Sequence, residues 1–305
     1  MQLRKATRKK AKIRLGISGP SGSGKTISSL LMAFGLTGSW DKIAVIDSEN
    51  NSADLYANHI VISDGKKFTV GEFQTLPLNP PYSPERYIEA IKACEDAGME
   101  VIIIDSISHE WGGTGGILEI VDSLKNASNS KNAFTNGWDK ASPRHNDFIE
   151  AMLGSKCHII GCMRSKVEYV MESVERNGKT IQVPKKMGMA PIQREGVDYE
   201  FTIHLDLNLN HYATAMKDRS GLFTESFVPS VRTGQTILDW CESGQDTEAE
   251  TIGAVEKLKN CDTVEELTDF KSTLPAYVIS DARFIAAGKQ RYNEIVKPKT
   301  EGANV

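Results

Sequence analysis

The stretch Gly19-Pro20-Ser21-Gly22-Ser23-Gly24-Lys25-Thr26 matches the phosphate-binding loop pattern G-x-x-x-x-G-K-S/T at every fixed position. An apolar run from Ile13 to Ile17 precedes it and predicts a strand, and Ile27 to Phe34 predict a helix after it. In such a loop, backbone N–H groups converge on phosphate oxygens at the positive end of the helix. The alternative is a flexible Gly/Ser turn, but the flanking strand and helix favour a nucleoside triphosphate site.

Each part of this loop has an expected task, and all eight residues are expected to surround the phosphates. Gly19, Gly22 and Gly24 allow backbone turns that a Cβ would forbid. Lys25 is expected to reach the β- and γ-phosphates, and the Thr26 hydroxyl is expected to bind Mg²⁺.

The composition is that of a globular protein large enough for one domain and an appendage, with 305 residues and a net charge of −4. Residues 1–14 hold seven Lys and Arg and no acid. This basic arm either contacts phosphates or merely leads into the first strand. No window approaches the roughly 20 apolar residues of a membrane span. The five cysteines form no C-x-x-C pair, so we expect reduced thiols, no zinc and a cytoplasmic protein.

Apolar runs alternate with helical patterns as far as residue 207, and this order predicts an α/β fold with a mostly parallel central sheet flanked by helices. Ligands then bind at the carboxyl ends of the strands. Helix starts are predicted at Ser83-Pro84 and at Ser142-Pro143. We predict a basic arm over 1–14, a core over 15–241 and a small helical module over 246–305, in which Asp262 and Glu265 form an N-cap pair.

A basic β-hairpin is predicted between Lys166 and Lys186, because Asn177-Gly178 separates two alternating runs. Its side chains either contact nucleic acid, with phosphates bound by cations and a base stacked on an aromatic ring, or are solvated or form an oligomer contact. The residues concerned are Lys166, Tyr169, Arg176, Lys179, Lys185 and Lys186.

Two carboxylates follow apolar strands. Asp105 ends the run Val101–Ile104, where a carboxylate beside a phosphate loop holds Mg²⁺, although a solvated turn residue is the alternative. Glu49 follows the strand that ends at Asp47, where it either orients the attacking water or is an ordinary loop carboxylate. His109, beside Trp111, is interpreted as a packing residue.

The segments Ile46-Asp47-Ser48-Glu49 and Ile103-Ile104-Asp105-Ser106 resemble the catalytic-Glu and Walker B segments of RecA-type recombinases. Lys217-Asp218-Arg219 is similar to the K-x-R element of RecA proteins and hexameric helicases. The resemblance covers residues 11–240 and implies a RecA-like P-loop ATPase core of the kind encoded by phages, including annealing recombinases. It implies ATP and Mg²⁺ as cofactors, Glu49 as the catalytic carboxylate, and Lys217 and Arg219 as cations that enter the neighbouring subunit's site.

The chain departs from the RecA pattern at Cys162, which stands where the family places a Gln that couples DNA to nucleotide. Arg164, two residues later, is a candidate γ-phosphate sensor. The basic hairpin occupies the place of the family's second DNA-binding loop, so the resemblance also implies contact with single-stranded DNA.

The combined expectation is a Mg²⁺-dependent ATPase that acts as a homo-oligomer, ring or filament, on single-stranded DNA in phage recombination or replication. The host cytoplasm would then be its location. Its C-terminal helices could recruit a single-strand binding protein. The alternatives are a nucleotide-gated assembly or adaptor protein with weak hydrolysis, and a small-molecule phosphotransferase.

Overall fold

A computed structural model describes residues 6–126, 133–176 and 179–296, with the side chains of 133–136, 167–188 and 276 outside the description. The chain divides into two compact units. One is Lys12–Trp240, and the other comprises the described residues of 1–11 and 241–305.

The strands of the described chain are β1 (Arg14–Gly19), β2 (Ile43–Asp47), β3 (Ile60–Ser63), β4 (Lys66–Thr69), β5 (Gln74–Pro77), β6 (Val101–Asp105), β7 (His158–Arg176), β8 (Lys179–Pro191), β9 (Ile203–Leu207) and β10 (Ala213–Asp218). The α-helices are α1 (Lys25–Thr37), α2 (Pro84–Asp96), α3 (Ser108–Gly112), α4 (Ile117–Asn126), α5 (Ala133–Gly154), α6 (Val231–Glu242), α7 (Thr247–Lys259), α8 (Val264–Ser272), α9 (Ala276–Ile279) and α10 (Ala282–Val296). Short 3₁₀ helices span Trp40–Lys42, Ser52–Tyr56 and Val197–Tyr199.

The main sheet has the strand order β10-β9-β1-β7-β6-β2-β5, with β8 paired to β7 beside this path. Its pairs are parallel except β9–β10 and β7–β8. Strands β1, β2 and β6 are buried along their whole length, because helices cover both faces of a parallel sheet. The predicted α/β fold with a mostly parallel sheet is confirmed.

The register of the parallel strands brings their polar ends to one edge of the sheet. Asp105 pairs with Asp47 on one side and with Cys162 on the other. Gly19, at the end of β1, pairs with Arg164. The phosphate loop and the candidate catalytic residues therefore start from one edge.

Helix α2 begins where the sequence predicts, with Ser83 extended before Pro84. The start predicted at Ser142-Pro143 is wrong, because α5 begins at Ala133 and contains Pro143. Buried residues continue at helical spacing through the proline, at Ala141, His145, Phe148 and Met152. Their burial outweighs the backbone hydrogen bond that a proline removes, a cost of about 3 kcal/mol.

The predicted hairpin is present in the backbone, where β7 and β8 pair antiparallel from Ser165–Pro191 to Arg176–Lys179. Its turn residues, Asn177 and Gly178, lie outside the described residues.

The second unit is a group of helices, α7 to α10, around Ala254, Leu258, Val278 and Phe284. Thr263 caps α8, with its Oγ1 accepting the Glu266 N–H at 3.1 Å, so the predicted Asp262–Glu265 pair is wrong by one residue. Within the same unit, Lys10 of the basic arm forms ion pairs with Glu242 and Asp246 at 2.5 and 3.0 Å. Among the described residues, no helix is both long and apolar enough to cross a membrane.

Candidate active site

The phosphate loop connects β1 to α1 and has the backbone that its glycines predict. Gly22 and Gly24 have φ angles of 82° and 88°, in the left-handed region that favours glycine. Lys25 Nζ donates to the carbonyls of Gly19 and Pro20, each at 3.0 Å. Gly22, Gly24, Lys25 and Thr26 line one open cavity, so the loop is accessible to a ligand. The loop therefore fits a bound phosphate chain.

Thr26 and Asp105 meet at the base of this loop, with Thr26 Oγ1 2.5 Å from Asp105 Oδ2. Asp105 is buried, and burial raises its pKa to about 6; the nearby Glu49 carboxylate adds to this rise, while the Thr26 hydrogen bond opposes it. A hydroxyl and a carboxylate suit Mg²⁺, which takes few protein ligands and completes its coordination with phosphates and water. The described residues hold no cluster of three His, Cys, Asp or Glu that would bind a metal alone.

Glu49 lies beyond the tip of β2 and is held by residues of two neighbouring strand ends. Arg164 Nε donates to Glu49 Oε1 at 2.7 Å, and Arg164 Nη2 donates to Oε2. Ser106 Oγ donates to Oε1 at 3.1 Å. Burial raises the pKa of Glu49, but the hydrogen bonds and charge of Arg164 outweigh it and the net pKa is lowered. The carboxylate is therefore ionised at neutral pH.

His109 lies next to Glu49, although the sequence predicts only a packing role for it. Its Nε2 lies 3.9 Å from Glu49 Oε1, and its Nδ1 is hydrogen-bonded to Ser48 Oγ at 2.8 Å. Its ring stacks on Tyr82 at a centroid distance of 4.9 Å. Burial lowers the pKa of His109, so the ring is neutral at pH 7. The residue both packs and touches the candidate catalytic group.

A cavity of about 600 Å³ joins these groups. Lys25, Thr26, Glu49, Asp105 and Arg164, predicted separately, all line it.

Two further residues that the sequence did not indicate, Tyr56 and His211, also line this cavity. His211 Nδ1 donates to the Ser23 carbonyl at 3.0 Å from the turn between β9 and β10. A lone histidine in a turn, or a lone tyrosine at the end of a short 3₁₀ helix, belongs to no recognisable pattern, so the sequence held no signal for either.

Lys217 and Arg219 lie away from this cavity. Because β10 is antiparallel to β9, Lys217 pairs with His204, and the Arg219 N–H donates to the Thr202 carbonyl at 3.1 Å. Thr202 is in turn bonded to Arg14 at the amino end of β1. The two cations are thus near the opposite end of the sheet from the phosphate loop, and Lys217 Nζ donates to the Tyr199 carbonyl.

Of the candidate nucleic-acid residues, Lys166 is exposed at the base of the hairpin. The side chains of the other five, Tyr169, Arg176, Lys179, Lys185 and Lys186, lie outside the described residues. Their roles stay predictions.

Comparisons with known proteins add a family. The family model described as "AAA domain" matches residues 11–239. A search of curated proteins gave no match. Among solved structures, the crystal structure of the RadB recombinase is similar at a TM-score of 0.37 and 15% identity, over 74% of this chain and 90% of that one.

Proposed function

The chain belongs to the family described as "AAA domain", and on that premise we propose that it is a Mg²⁺-dependent ATPase that acts as an oligomer on single-stranded DNA in phage recombination or replication. The observation that carries the proposal is the meeting of Lys25, Thr26, Glu49, Asp105 and Arg164 around one cavity. Phosphate-binding, metal-binding and water-orienting groups are the parts that phosphoryl transfer to water needs.

The residues have distinct proposed tasks. Lys25 and the loop N–H groups bind the phosphates, and Thr26 and Asp105 hold Mg²⁺. When bound, Mg²⁺ supplies positive charge that neutralises the phosphate oxygens. Glu49, ionised and ordered by Ser106 and Arg164, accepts a hydrogen bond from the attacking water.

An oligomer is proposed because Lys217, in β10, and Arg219, directly after it, are remote from the cavity of their own chain. Two of the most exposed large apolar side chains flank Lys217: Tyr199 at 68% exposed and Met216 at 67%. We name Tyr199, Met216, Lys217 and Arg219 the cation face. A face that is both apolar and charged suits a protein contact, since solvated surfaces rarely gather large apolar groups.

The complementary surface lies at the rim of the cavity. Leu55, 79% exposed, is in the 3₁₀ helix Ser52–Tyr56, where side chains three residues apart eclipse one another. Ser52 lines the cavity, so Leu55 is on the same side of that helix. In the proposed oligomer the cation face of one copy meets this rim in the next, and Lys217 and Arg219 stabilise charge on the γ-phosphate there.

Contact of single-stranded DNA with the β7–β8 hairpin, through Lys166 and the other basic residues, is a further part of the proposal. We also propose that the chain divides into an arm (1–14), a core (15–241) and a helical module (246–305). The helical module would recruit a single-strand binding protein, and the protein would be located in the host cytoplasm.

The test is ATP turnover with and without Mg²⁺ for the unaltered protein, Lys25→Ala and the control Lys42→Ala. Lys42 is an exposed lysine outside the cavity, 3.8 Å from Glu100. We expect turnover that needs Mg²⁺, is lost in Lys25→Ala and is unchanged in Lys42→Ala. Equal turnover by Lys25→Ala would contradict the proposal.

A further inference from the structure

The helical unit carries an apolar groove of about 480 Å³ that neither the ATPase proposal nor the family match uses. Leu258, Leu267, Ile279 and Phe284 form part of its lining, with Ile285 and Tyr292 at 43% and 47% exposed. Leu258 and Phe284 also belong to the buried core of the unit, whereas Ile285 and Tyr292 are open to solvent. The groove has the size that holds a few side chains.

The charged side chains that line the groove are opposite in sign to the net charge of the unit. Residues 246–296 contain ten acidic and six basic residues, so the unit as a whole is acidic. The charged residues that line the groove are nevertheless two lysines, Lys271 and Lys289. We name the feature, with its apolar lining and these two lysines, the lysine groove.

The two lysines are not used to stabilise the unit itself. Arg283 is paired with Glu248 and Asp281, and Arg291 with Asp262 and Glu294. Within the part of the chain that the structure describes, neither Lys271 nor Lys289 has an ion pair, and both are exposed. Four of the unit's acidic side chains are thus paired with the two arginines, while the two lysines of the groove form no ion pair among the described residues.

We propose that the lysine groove binds an acidic peptide segment of a partner protein, with large apolar side chains in the groove and carboxylates beside Lys271 and Lys289. We choose an acidic peptide because its carboxylates complement the positive charges of Lys271 and Lys289. Residues 297–305 of the chain itself carry two lysines and one glutamate, with Val305 as their largest aliphatic side chain, so they match the groove poorly. The proposal does not depend on ATP hydrolysis.

The experiment measures fluorescence anisotropy of the full chain with a labelled peptide Glu-Asp-Glu-Leu-Phe-Glu-Asp, and with its counterpart in which every acid is lysine. We expect saturable binding of the acidic peptide, weakened by salt, and no binding of the basic one. Equal binding of both peptides, or binding of neither, overturns the proposal.

Matched variants locate the site. The double change Lys271→Glu and Lys289→Glu should weaken acidic-peptide binding about tenfold or more, since two attractions become repulsions. Lys257→Glu with Lys259→Glu makes the same charge change on exposed lysines outside the groove and should leave affinity within about twofold. Equal losses in both double variants overturn the assignment to the groove.

The apolar part has its own pair of variants. Ile285→Ser should lower affinity, whereas Ile252→Ser, at a similarly exposed position outside the groove lining, should not. Circular dichroism of each variant checks that the helices still form. If deletion of residues 297–305 raises the affinity for the acidic peptide, the chain's own end occupies the groove. If a groove variant changes only the oligomeric state, a second copy of the chain occupies it. Either result overturns the assignment to a partner protein.

Discussion

Arg164 holds the carboxylate of Glu49 in a two-pronged ion pair, with Arg164 Nε 2.7 Å from Glu49 Oε1 and Nη2 donating to Oε2. The pair joins the end of β2 to β7, the strand that continues into the basic hairpin. While the pair is intact, the charge of Arg164 is directed at Glu49. A candidate phosphate sensor and a candidate catalytic carboxylate are therefore one unit.

Removing the carboxylate should stop hydrolysis but not binding. In Glu49→Gln the amide cannot accept the water proton, so we expect turnover to fall by about 10²- to 10⁴-fold. ATP affinity should change little, because Glu49 is not among the groups proposed to hold the phosphates. Single-turnover hydrolysis measures the rate of the chemical step, and nucleotide titration measures the ATP affinity. A matching loss of affinity would mean that Glu49 holds the nucleotide instead.

Arg164→Ala should move the acid limb of the pH–rate profile. Burial raises the pKa of Glu49 and Arg164 is the main group that opposes it, so loss of Arg164 should raise that pKa. A carboxylate with a higher pKa becomes protonated at higher pH, and the acid limb should therefore shift upward. Arg194→Ala, on a half-buried arginine that donates to Asn146 and does not line the cavity, is the control. An unchanged acid limb in Arg164→Ala would show that the Arg164–Glu49 ion pair does not control the pKa on which turnover depends.

His109 should act as a positioning residue for Glu49. His109→Ala removes both the 3.9 Å approach to Oε1 and the hydrogen bond to Ser48, and should lower kcat about fivefold with KM unchanged. His109→Asn can keep the bond to Ser48 and should recover part of the rate. A role in packing alone predicts lower thermal stability in His109→Ala with kcat unchanged, which would refute the positioning role.

The proposed interface between copies can be tested with single cysteines. Chains with Leu55→Cys and Met216→Cys, mixed with an ATP analogue and a short bismaleimide, should form a cross-linked dimer of two different chains. The five native cysteines are buried, so background should be low. Leu118→Cys, at an exposed position on α4, replaces Met216→Cys in the control. Cross-linking as strong in the control would show that the two faces do not meet specifically.

The sequence predicted those parts of the site that depend on local patterns. The phosphate loop has fixed spacing, and Asp105 ends a run of β-branched residues, so chain order alone placed both at the edge of a parallel sheet. The Asn177-Gly178 hairpin was predicted for the same reason, since two alternating runs around a turn leave few other pairings.

What the sequence could not indicate depends on contacts between distant segments. His211 reaches Ser23 from 188 residues away, and Arg164 reaches Glu49 from 115. Neither contact has a local pattern. The helix start predicted at Ser142-Pro143 was wrong for a different reason. Ser-Pro is a local pattern typical of a helix start, but the buried face of α5 continues through Pro143.

The most direct test of the proposed function is steady-state ATP turnover with Mg²⁺, with and without single-stranded DNA, for the unaltered chain and Glu49→Gln. We expect turnover that single-stranded DNA stimulates, and a rate about 10²- to 10⁴-fold lower in Glu49→Gln under either condition. Turnover that is unchanged by DNA and instead requires a nucleoside or another small phosphate acceptor would refute the proposed function.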